Sequence, residues 1–139
     1  MILFVDDEER PIKTFMEELS RSNYAVHLET DVDRALEYFR ANVDKIELLV
    51  LDIMMPHGES LTAEETDNGR RTGVRLFKKF REENRNLPII VFTNVSAQPV
   101  EEAFADMPRC RFLKKIDYFP FEFKEEAVAM LAAGGSGRA

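Results

Sequence analysis

Short apolar runs recur along the chain, and each has the length and pattern of a strand. Three of them are continuous apolar stretches, the pattern typical of strands buried on both faces of a parallel sheet, and the short run 110–113 is apolar except for Arg111. In the remaining one, Tyr24, Val26 and Leu28 alternate with other residues, as in a strand that is partly exposed. The runs cover residues 2–5, 24–28, 48–51, 89–92 and 110–113.

The segments between these runs carry apolar residues at helical spacing. The first is typical, because its apolar positions follow the i, i+3, i+4, i+7 pattern that draws one stripe along a helix. The predicted buried positions are Ile12, Phe15, Met16 and Leu19; Val32, Ala35, Leu36 and Phe39; Val74, Phe77 and Phe80; Val100, Ala103, Phe104 and Met107; and Phe121, Phe123, Ala127, Val128 and Leu131. Strands that alternate with helices predict an α/β fold, a doubly wound parallel sheet with helices on both faces.

Composition and charge narrow the class of protein. The 139 residues, 45% of them hydrophobic and 32% charged, fit one soluble domain. Because 26 acidic residues outnumber 19 Lys and Arg, the net charge of −7 disfavours direct binding to nucleic acid. The lone Cys110 is expected to pack as a small hydrophobe. No apolar run is long enough to cross a membrane, so we expect a cytoplasmic protein.

Charged or hydroxyl side chains stand at the ends of four of the predicted strands. Asp6 and Asp7 follow the first, Asp52 follows the third, Thr93 ends the fourth, and the pair Lys114 and Lys115 follows the fifth. Parallel strands bring their carboxyl ends to one edge of the sheet, so we expect these residues to meet there. Three carboxylates in one pocket repel each other unless a cation joins them, and Mg²⁺ is the divalent ion that best fits oxygen ligands.

The layout predicts a role for each residue. Asp52 lies centrally, as a nucleophile toward a phosphoryl donor would. Asp7 is the expected direct metal ligand, Asp6 a ligand through water, and the backbone carbonyl of Met54 a further ligand. Lys115 and Thr93 would then bind the phosphoryl oxygens. No His is expected in the pocket, so no general base is evident and the modified state should be long-lived.

The chain resembles the receiver domains of two-component response regulators, of the chemotaxis-regulator-like type. The motifs that carry the resemblance span nearly the full length and are ILFVDDE (2–8), LVLDIMMP (49–56), TGV (72–74), LPIIVFT (87–93) and FLKK (112–115). The resemblance implies a flavodoxin-like (βα)5 fold with strand order 2-1-3-4-5. It also implies Mg²⁺-dependent phosphorylation of Asp52 and a switch through Thr93 and the aromatic Phe112. The family's spacing from that aromatic to its lysine favours Lys115 over Lys114.

The resemblance also implies partners and a class of function. The phosphoryl group would come from a histidine kinase or a phosphotransfer protein, and the output would be affinity for a protein effector in trans or in a domain not present here. A second copy of the chain is a further candidate partner. The chain is then a switch and not an enzyme. Two alternatives stay open: a phosphorylation-independent interaction module, and an Asp-nucleophile phosphohydrolase, although the latter's Asp-x-Asp motif is missing from the first strand.

One segment departs from the family pattern. Within a receiver domain expected over 1–133, the loop of about 57–72 exceeds the usual length by about a dozen residues. It contains His57, Gly58 and the pair Arg70 and Arg71, and the segment 62–65 fits a capping box that would start a helical turn. A solvated insertion and a lid or docking loop beside Asp52 both fit. The Gly-rich residues 134–139 predict a flexible tail.

Overall fold

One parallel sheet organises the chain in the computed structural model, which describes residues 1–95 and 98–136. Its strands are β1 (Ile2–Val5), β2 (Val26–Glu29), β3 (Leu48–Leu51), β4 (Ile89–Thr93) and β5 (Cys110–Lys114). They lie in the order β2-β1-β3-β4-β5, and every neighbouring pair is parallel. The predicted fold class and strand order are confirmed.

A helix follows each strand, as the apolar stripes predict. They are α1 (Glu9–Arg21), α2 (Val32–Ala41), α3 (Thr72–Glu83), α4 (Gln98–Ala105) and α5 (Pro120–Ser136), with a 3-10 turn at Lys115–Asp117. The carboxylate of Asp31 accepts a hydrogen bond from the backbone N–H of Arg34 and so caps the first turn of α2. Among the described residues, no helix is long and apolar enough to span a bilayer.

The alternation of side chains along each strand divides the core between the two faces of the sheet. On β1, Leu3 and Val5 pack into one cluster with the buried residues of α2, α3 and α4. Ile2 and Phe4 point the other way and pack with α1 and α5. Because successive side chains of a strand point to opposite faces, four consecutive apolar residues serve both layers.

Two predicted core positions are wrong. Phe121 is 56% exposed and Met107 is 38% exposed, although both were expected on buried helix faces. Phe123 is the buried aromatic of α5, and a residue two positions earlier lies about 200° around the helix, on its solvent side. Met107 lies beyond the last residue of α4, so the helical spacing no longer fixes its direction.

The described backbone of α5 continues through residues 134–136, where the sequence predicts the start of a flexible tail. A helix can extend into a glycine pair at a cost of about 1 kcal/mol per glycine relative to alanine, so composition alone does not end it there. Residues 137–139 of the predicted tail lie outside the described residues.

The long segment between β3 and α3 is folded. The N–H of Thr62 donates to Glu65 Oε2 (2.9 Å), and the N–H of Glu65 donates to Thr62 Oγ1 (3.0 Å), which is the predicted capping box. The N–H of Thr66 then donates to the carbonyl of Thr62, as in the first turn of a helix. These hydrogen bonds favour an ordered segment, although residues such as Ala63 and Glu64 are exposed to solvent.

Candidate functional site

The hydrogen bonds of the sheet carry two carboxylates to one edge. Val5 and Leu51 lie opposite each other at the ends of β1 and β3. The hydrogen bonding between neighbouring strands continues one residue beyond their ends. The N–H of Asp52 donates to the carbonyl of Val5 (3.0 Å), and the N–H of Asp6 donates to the carbonyl of Glu29 (3.2 Å). Asp6 and Asp52 are therefore held by the sheet and not by flexible loops.

A third carboxylate, Asp7, joins this pair. Each of Asp6, Asp7 and Asp52 offers one oxygen, and these oxygens lie within 4.8 Å of one another. Asp6 and Asp52 are buried, with 2% and 6% of their surface exposed, whereas Asp7 is open to solvent. The structure thus brings together the three acids that the sequence predicts at this edge.

Lys115, which directly follows the outer strand β5, reaches the same cluster. Its Nζ lies 2.6 Å from Asp6 Oδ2 and 3.3 Å from Asp52 Oδ2. The neighbouring Lys114 is the last residue of β5 and instead pairs with Glu101 on α4, with Nζ and Oε1 2.9 Å apart. Of the two lysines, Lys115 is the one whose ammonium contacts the acids, because the 3-10 turn that begins there redirects the chain.

Burial, together with the crowding of like charges, raises the pKa values of the acids in this cluster. Burial, and then the charge of Asp52, raise the pKa of Asp6 from 3.8 to about 6. The same two causes raise the pKa of Asp7. Burial by itself would lower the pKa of Lys115, but the charges of Asp52 and Asp6 outweigh it and the pKa is raised. Lys115 therefore stays an ammonium, yet it leaves part of the repulsion between the acids uncompensated.

The donor set fits a hard divalent cation. Asp6 Oδ2 is buried and pairs with the ammonium of Lys115 (2.6 Å), which Asp52 shares, and no other donor in the described chain bonds to it. Asp52 Oδ1 accepts from the N–H of Ile53 (2.8 Å), which orients the carboxylate. A buried carboxylate oxygen with one shared cation, beside two further carboxylates, keeps acceptor capacity that Mg²⁺ would satisfy.

An open crevice of about 760 Å³ lies over the acids. Thr93, Asn94 and Met54 line it together with Asp52 and Lys115. Thr93 is buried, and its hydroxyl oxygen accepts a hydrogen bond from the N–H of Val95 (3.2 Å), which holds it at the end of β4. All the strand-end residues predicted for the site therefore share one cavity, apart from the buried Asp6 beneath it.

The expectation that the pocket contains no His is wrong. His57 lines the crevice, as do Asn68, Gly69 and Arg70, because the long segment folds back over the edge of the sheet. His57 Nδ1 lies 2.6 Å from the carbonyl oxygen of Gly58, which can only accept, so Nδ1 carries the proton. The available sequence signal was the turn-forming run from Asp67 to Gly69, but a turn does not show where the chain returns.

Two residues of β5 lie away from the acids. The ring of Phe112 is half-buried and stacks on Phe104 of α4, with centroids 6.0 Å apart. Cys110 packs against the same apolar cluster, and burial raises the pKa of its thiol to about 12. The prediction that Cys110 is a packing residue and not a reactive thiol is consistent with both observations.

Comparison with protein families gives one match across most of the chain. The model of the "Response regulator receiver domain" matches residues 2–117. Among curated proteins, the alkaline phosphatase synthesis transcriptional regulatory protein PhoP of Bacillus subtilis (strain 168) is 32% identical over 92 residues. That alignment covers 66% of this chain but only 32% of PhoP, so the chain corresponds to about a third of its relative.

Solved structures agree on the fold. A CheY-like receiver domain protein from Methanospirillum hungatei JF-1 has a TM-score of 0.77 at 17% identity, covering 98% of this chain and 96% of that one. The non-phosphorylated HemR receiver domain from Leptospira biflexa has a TM-score of 0.73 at 22% identity, covering 94% and 92%. A signal receiver domain of an HD domain-containing protein from Pseudomonas fluorescens Pf-5 has a TM-score of 0.77 at 18% identity, covering 99% and 90%.

Proposed function

Because the chain belongs to the response regulator receiver domain family, whose model matches residues 2–117, we propose that it is a signalling switch phosphorylated on Asp52. The observation that carries the proposal is the position of Asp52 in the acid cluster. It lines the open crevice, with Lys115 Nζ 3.3 Å from its Oδ2 and the carboxylates of Asp6 and Asp7 beside it. A buried strand end gains no packing from these charges, so chemistry is the better explanation for them.

The proposed reaction is transfer of a phosphoryl group to a carboxylate oxygen of Asp52. That oxygen attacks phosphorus, a new P–O bond forms, and the bond to the donor's leaving group breaks with the electron pair going to the leaving group. With a phosphohistidine donor the leaving group is the imidazole nitrogen, and with acetyl phosphate it is acetate. The product in each case is an acyl phosphate on Asp52.

The residues around Asp52 have separate tasks in this proposal. Lys115 is a fixed ammonium that offsets the added phosphoryl charge. Thr93 offers a hydroxyl at the neighbouring strand end. Asp6 and Asp7, with Asp52 and the backbone carbonyl of Met54, would hold Mg²⁺. When bound, the ion would neutralise the carboxylates and the charge that develops on the phosphoryl oxygens.

The signal would leave the site through Thr93 and Phe112. Phosphorylation adds acceptor oxygens beside Thr93, and a shift of its hydroxyl toward them opens space next to β5. Phe112, half-buried against Phe104, is the aromatic ring that can fill this space and so change the face formed by α4, β5 and α5. Such a change is a shift between two packings and requires only a few kcal/mol of differential stabilisation.

The partners follow from the family and the charge of the chain. Receiver domains of this family take their phosphoryl group from a histidine kinase or a phosphotransfer protein. We propose a protein effector, in trans or in a further domain, as the recipient of the signal, and a second copy of the chain as a further partner. The net charge of −7 argues against direct contact with nucleic acid.

The proposal is tested by incubating the chain with Mg²⁺ and acetyl phosphate and measuring intact mass. We expect a mass gain of one phosphoryl group on the wild type, none on Asp52→Asn, and a full gain on the control variant Asp31→Asn. Asp31 caps α2 and does not line the crevice, and Asn caps helices as well as Asp does. Beryllofluoride should shift backbone amide resonances near Asp52. Amide spectra are the appropriate probe because the chain has no Trp for fluorescence.

Two results would contradict the proposal. Absence of any adduct or amide shift in the wild type would favour an interaction module that works without phosphorylation. Continuous release of phosphate over many turnovers would favour a phosphohydrolase with Asp52 as nucleophile. In each alternative Asp31→Asn behaves as the wild type does, so the readout separates the three functions.

A further inference from the structure

The segment 57–71, which we term the insertion, forms one wall of the crevice over Asp52. His57, Gly58, Asn68, Gly69 and Arg70 line this side, whereas Asp7 and Glu8 line the crevice from the β1 side. The crevice is thus bordered by acidic residues on the β1 side and by a histidine and an arginine of the insertion on the other. The insertion is long for a loop of this kind, and loops of such length are commonly functional.

The beginning of the insertion is fastened to α2. The carboxylate of Asp33 accepts hydrogen bonds from the N–H groups of Glu59 (2.9 Å) and Ser60 (2.7 Å). Hydrogen bonds from Ser60 and Glu59 lower the pKa of Asp33, as expected for a carboxylate that accepts several donors. Gly58 has a φ of +69°, so the chain turns toward Asp33 in a conformation that favours glycine.

Two residues in the middle of the insertion are buried in the protein. Leu61 is 2% exposed and belongs to the core cluster shared with α2 and α3. Thr66 is fully buried; its hydroxyl donates to the carbonyl of Thr62 (2.7 Å) and accepts from the N–H of Gly69 (3.3 Å). These contacts secure the helical turn that begins at the capping box.

The end of the insertion is joined to the strand-end loop that carries Asp52. The N–H of Met55 donates to the carbonyl of Gly69 (3.1 Å), and Thr72 Oγ1 donates to the carbonyl of Met55 (2.6 Å). Gly69 has a φ of +89°, and a Cβ there would lie 3.0 Å from the carbonyl oxygen of Met55. The backbone that bears Arg70 is therefore fixed relative to the loop after Asp52.

The charge balance of the crevice calls for a further cation beside the phosphoryl group, and Arg70 is placed to supply it. Lys115 is already shared between Asp6 (2.6 Å) and Asp52 (3.3 Å), so it is not free to pair only with an added phosphoryl group. Arg70 forms an ion pair with Asp67, in which Nη1 and Oδ1 are 3.6 Å apart and the side chains are 64% and 58% exposed. An exposed pair of this kind contributes about 0–1 kcal/mol and is readily exchanged for a better anion.

We propose that the insertion is a preformed wall of the phosphorylation crevice and that Arg70 is a phosphoryl-binding residue, a second cation that contacts the phosphoryl group on Asp52. This inference rests on the proposed function, because it assigns a ligand to the same site. A guanidinium can donate two parallel hydrogen bonds to phosphoryl oxygens, which an ammonium cannot do with the same geometry. The insertion would then tune both capture of the donor and the lifetime of the acyl phosphate.

The experiment compares Arg70→Ala with the matched control Arg71→Ala. Both variants remove one positive charge from adjacent exposed positions, but only Arg70 lines the crevice. Binding of beryllofluoride in the presence of Mg²⁺ is measured by amide titration, and phosphorylation by acetyl phosphate is followed by mass. We expect Arg70→Ala to weaken beryllofluoride binding by about five- to tenfold. Arg71→Ala should stay within about twofold, and Arg70→Lys should lie between them.

The outcomes separate this inference from the proposed function. A wild type that binds no beryllofluoride and forms no adduct overturns the proposed function, and the inference with it. A responsive wild type with Arg70→Ala equal to Arg71→Ala, whether both are weak or both normal, overturns the role of Arg70 alone. Thermal unfolding followed by circular dichroism checks that each variant is folded, and Arg70→Gln serves as a second variant should Arg70→Ala unfold.

Discussion

At the scale of single residues, Asp6 is the most informative group in the molecule. It is 2% exposed, its Oδ2 shares the ammonium of Lys115 with Asp52, and its pKa is raised to about 6 by burial and by Asp52. Burial of a charge with incomplete pairing destabilises a fold. The protein therefore carries a local cost in stability at the position where a cation is expected to bind.

This cost predicts an unusual pH dependence in chelator-containing buffer. Because the folded chain holds the proton of Asp6 more tightly than the unfolded chain does, the stabilising contribution is complete below the ordinary pKa of 3.8 and is lost as pH rises through about 6. We expect the free energy of unfolding of the wild type to lose about 2–3 kcal/mol over this window relative to Asp6→Asn. Urea denaturation followed by circular dichroism at several pH values measures it.

The comparison with Asp6→Asn is needed because other groups titrate in the same range, including Asp7, whose pKa is also raised. Adding Mg²⁺ should restore stability to the wild type above pH 6 and leave Asp6→Asn less affected. Parallel plots of the free energy of unfolding against pH for the wild type and Asp6→Asn, without Mg²⁺, would refute the assignment of this stability loss to Asp6.

At the scale of elements, the joint between α3 and the loop after β3 holds the site together. The N–H of Gly73 donates to the carbonyl of Ile53 (2.8 Å), directly beside the phosphorylatable residue proposed here. A Cβ at Gly73 would lie 2.1 Å from the carbonyl oxygen of Asp52 and 2.6 Å from the Cα of Ile53. Glycine is thus required for the close approach of the helix and not for its backbone dihedrals.

We therefore predict that Gly73→Ala destabilises the fold by at least about 2 kcal/mol and slows phosphorylation of Asp52, because α3 must move away from the loop. Gly58→Ala is the comparison: its Cβ would lie 2.8 Å from the carboxylate of Asp33, a side chain that can rotate but then weakens its hydrogen bonds with Glu59 and Ser60. We expect a smaller loss there, of about 1–2 kcal/mol, from the positive φ and the weakened hydrogen bonds. Equal urea midpoints for the two variants would contradict this account.

At the scale of the whole molecule, the doubly wound sheet links the acid edge to the face formed by α4, β5 and α5. Thr93 is buried at the end of β4, and its register partner on β5 is Lys114, which pairs with Glu101 on α4. Phe112 lies two residues before Lys114 on the same strand and stacks on Phe104 of α4. A change at Thr93 would therefore reach α4 through β4 and its hydrogen-bonded neighbour β5.

From this connection we predict that Thr93→Ala separates modification from response. The variant should still gain a phosphoryl group on Asp52, since the attacking carboxylate and Lys115 are unchanged. The beryllofluoride-induced amide shifts of α4 and β5 should shrink to less than about half of their wild-type size, because the hydroxyl that moves is gone. Thr14→Ala, an exposed hydroxyl on α1, is the control and should respond fully. Undiminished shifts in Thr93→Ala would exclude this route.

The sequence by itself determined the layers of the fold and the acids of the site. Apolar runs and helical stripes are local patterns, and each predicts which face of an element is buried; that information suffices for the alternation of strands and helices and for the shared edge of Asp6, Asp52 and Thr93. The strand order came from the resemblance and not from the patterns. The capping box at Thr62 was also readable, since it depends on residues three apart.

Only the tertiary structure decided between a solvated insertion and a loop beside Asp52. The insertion reaches the crevice through hydrogen bonds to Asp33 and Met55, partners that no periodicity connects to it, and these place His57 and Arg70 in the site. The family spacing favoured Lys115 over Lys114, and the structure supplies the physical reason, because the turn after β5 directs one ammonium to Glu101 and the next to Asp6 and Asp52. Long-range contacts of irregular backbone leave no repeating signal in a sequence, because each is made once.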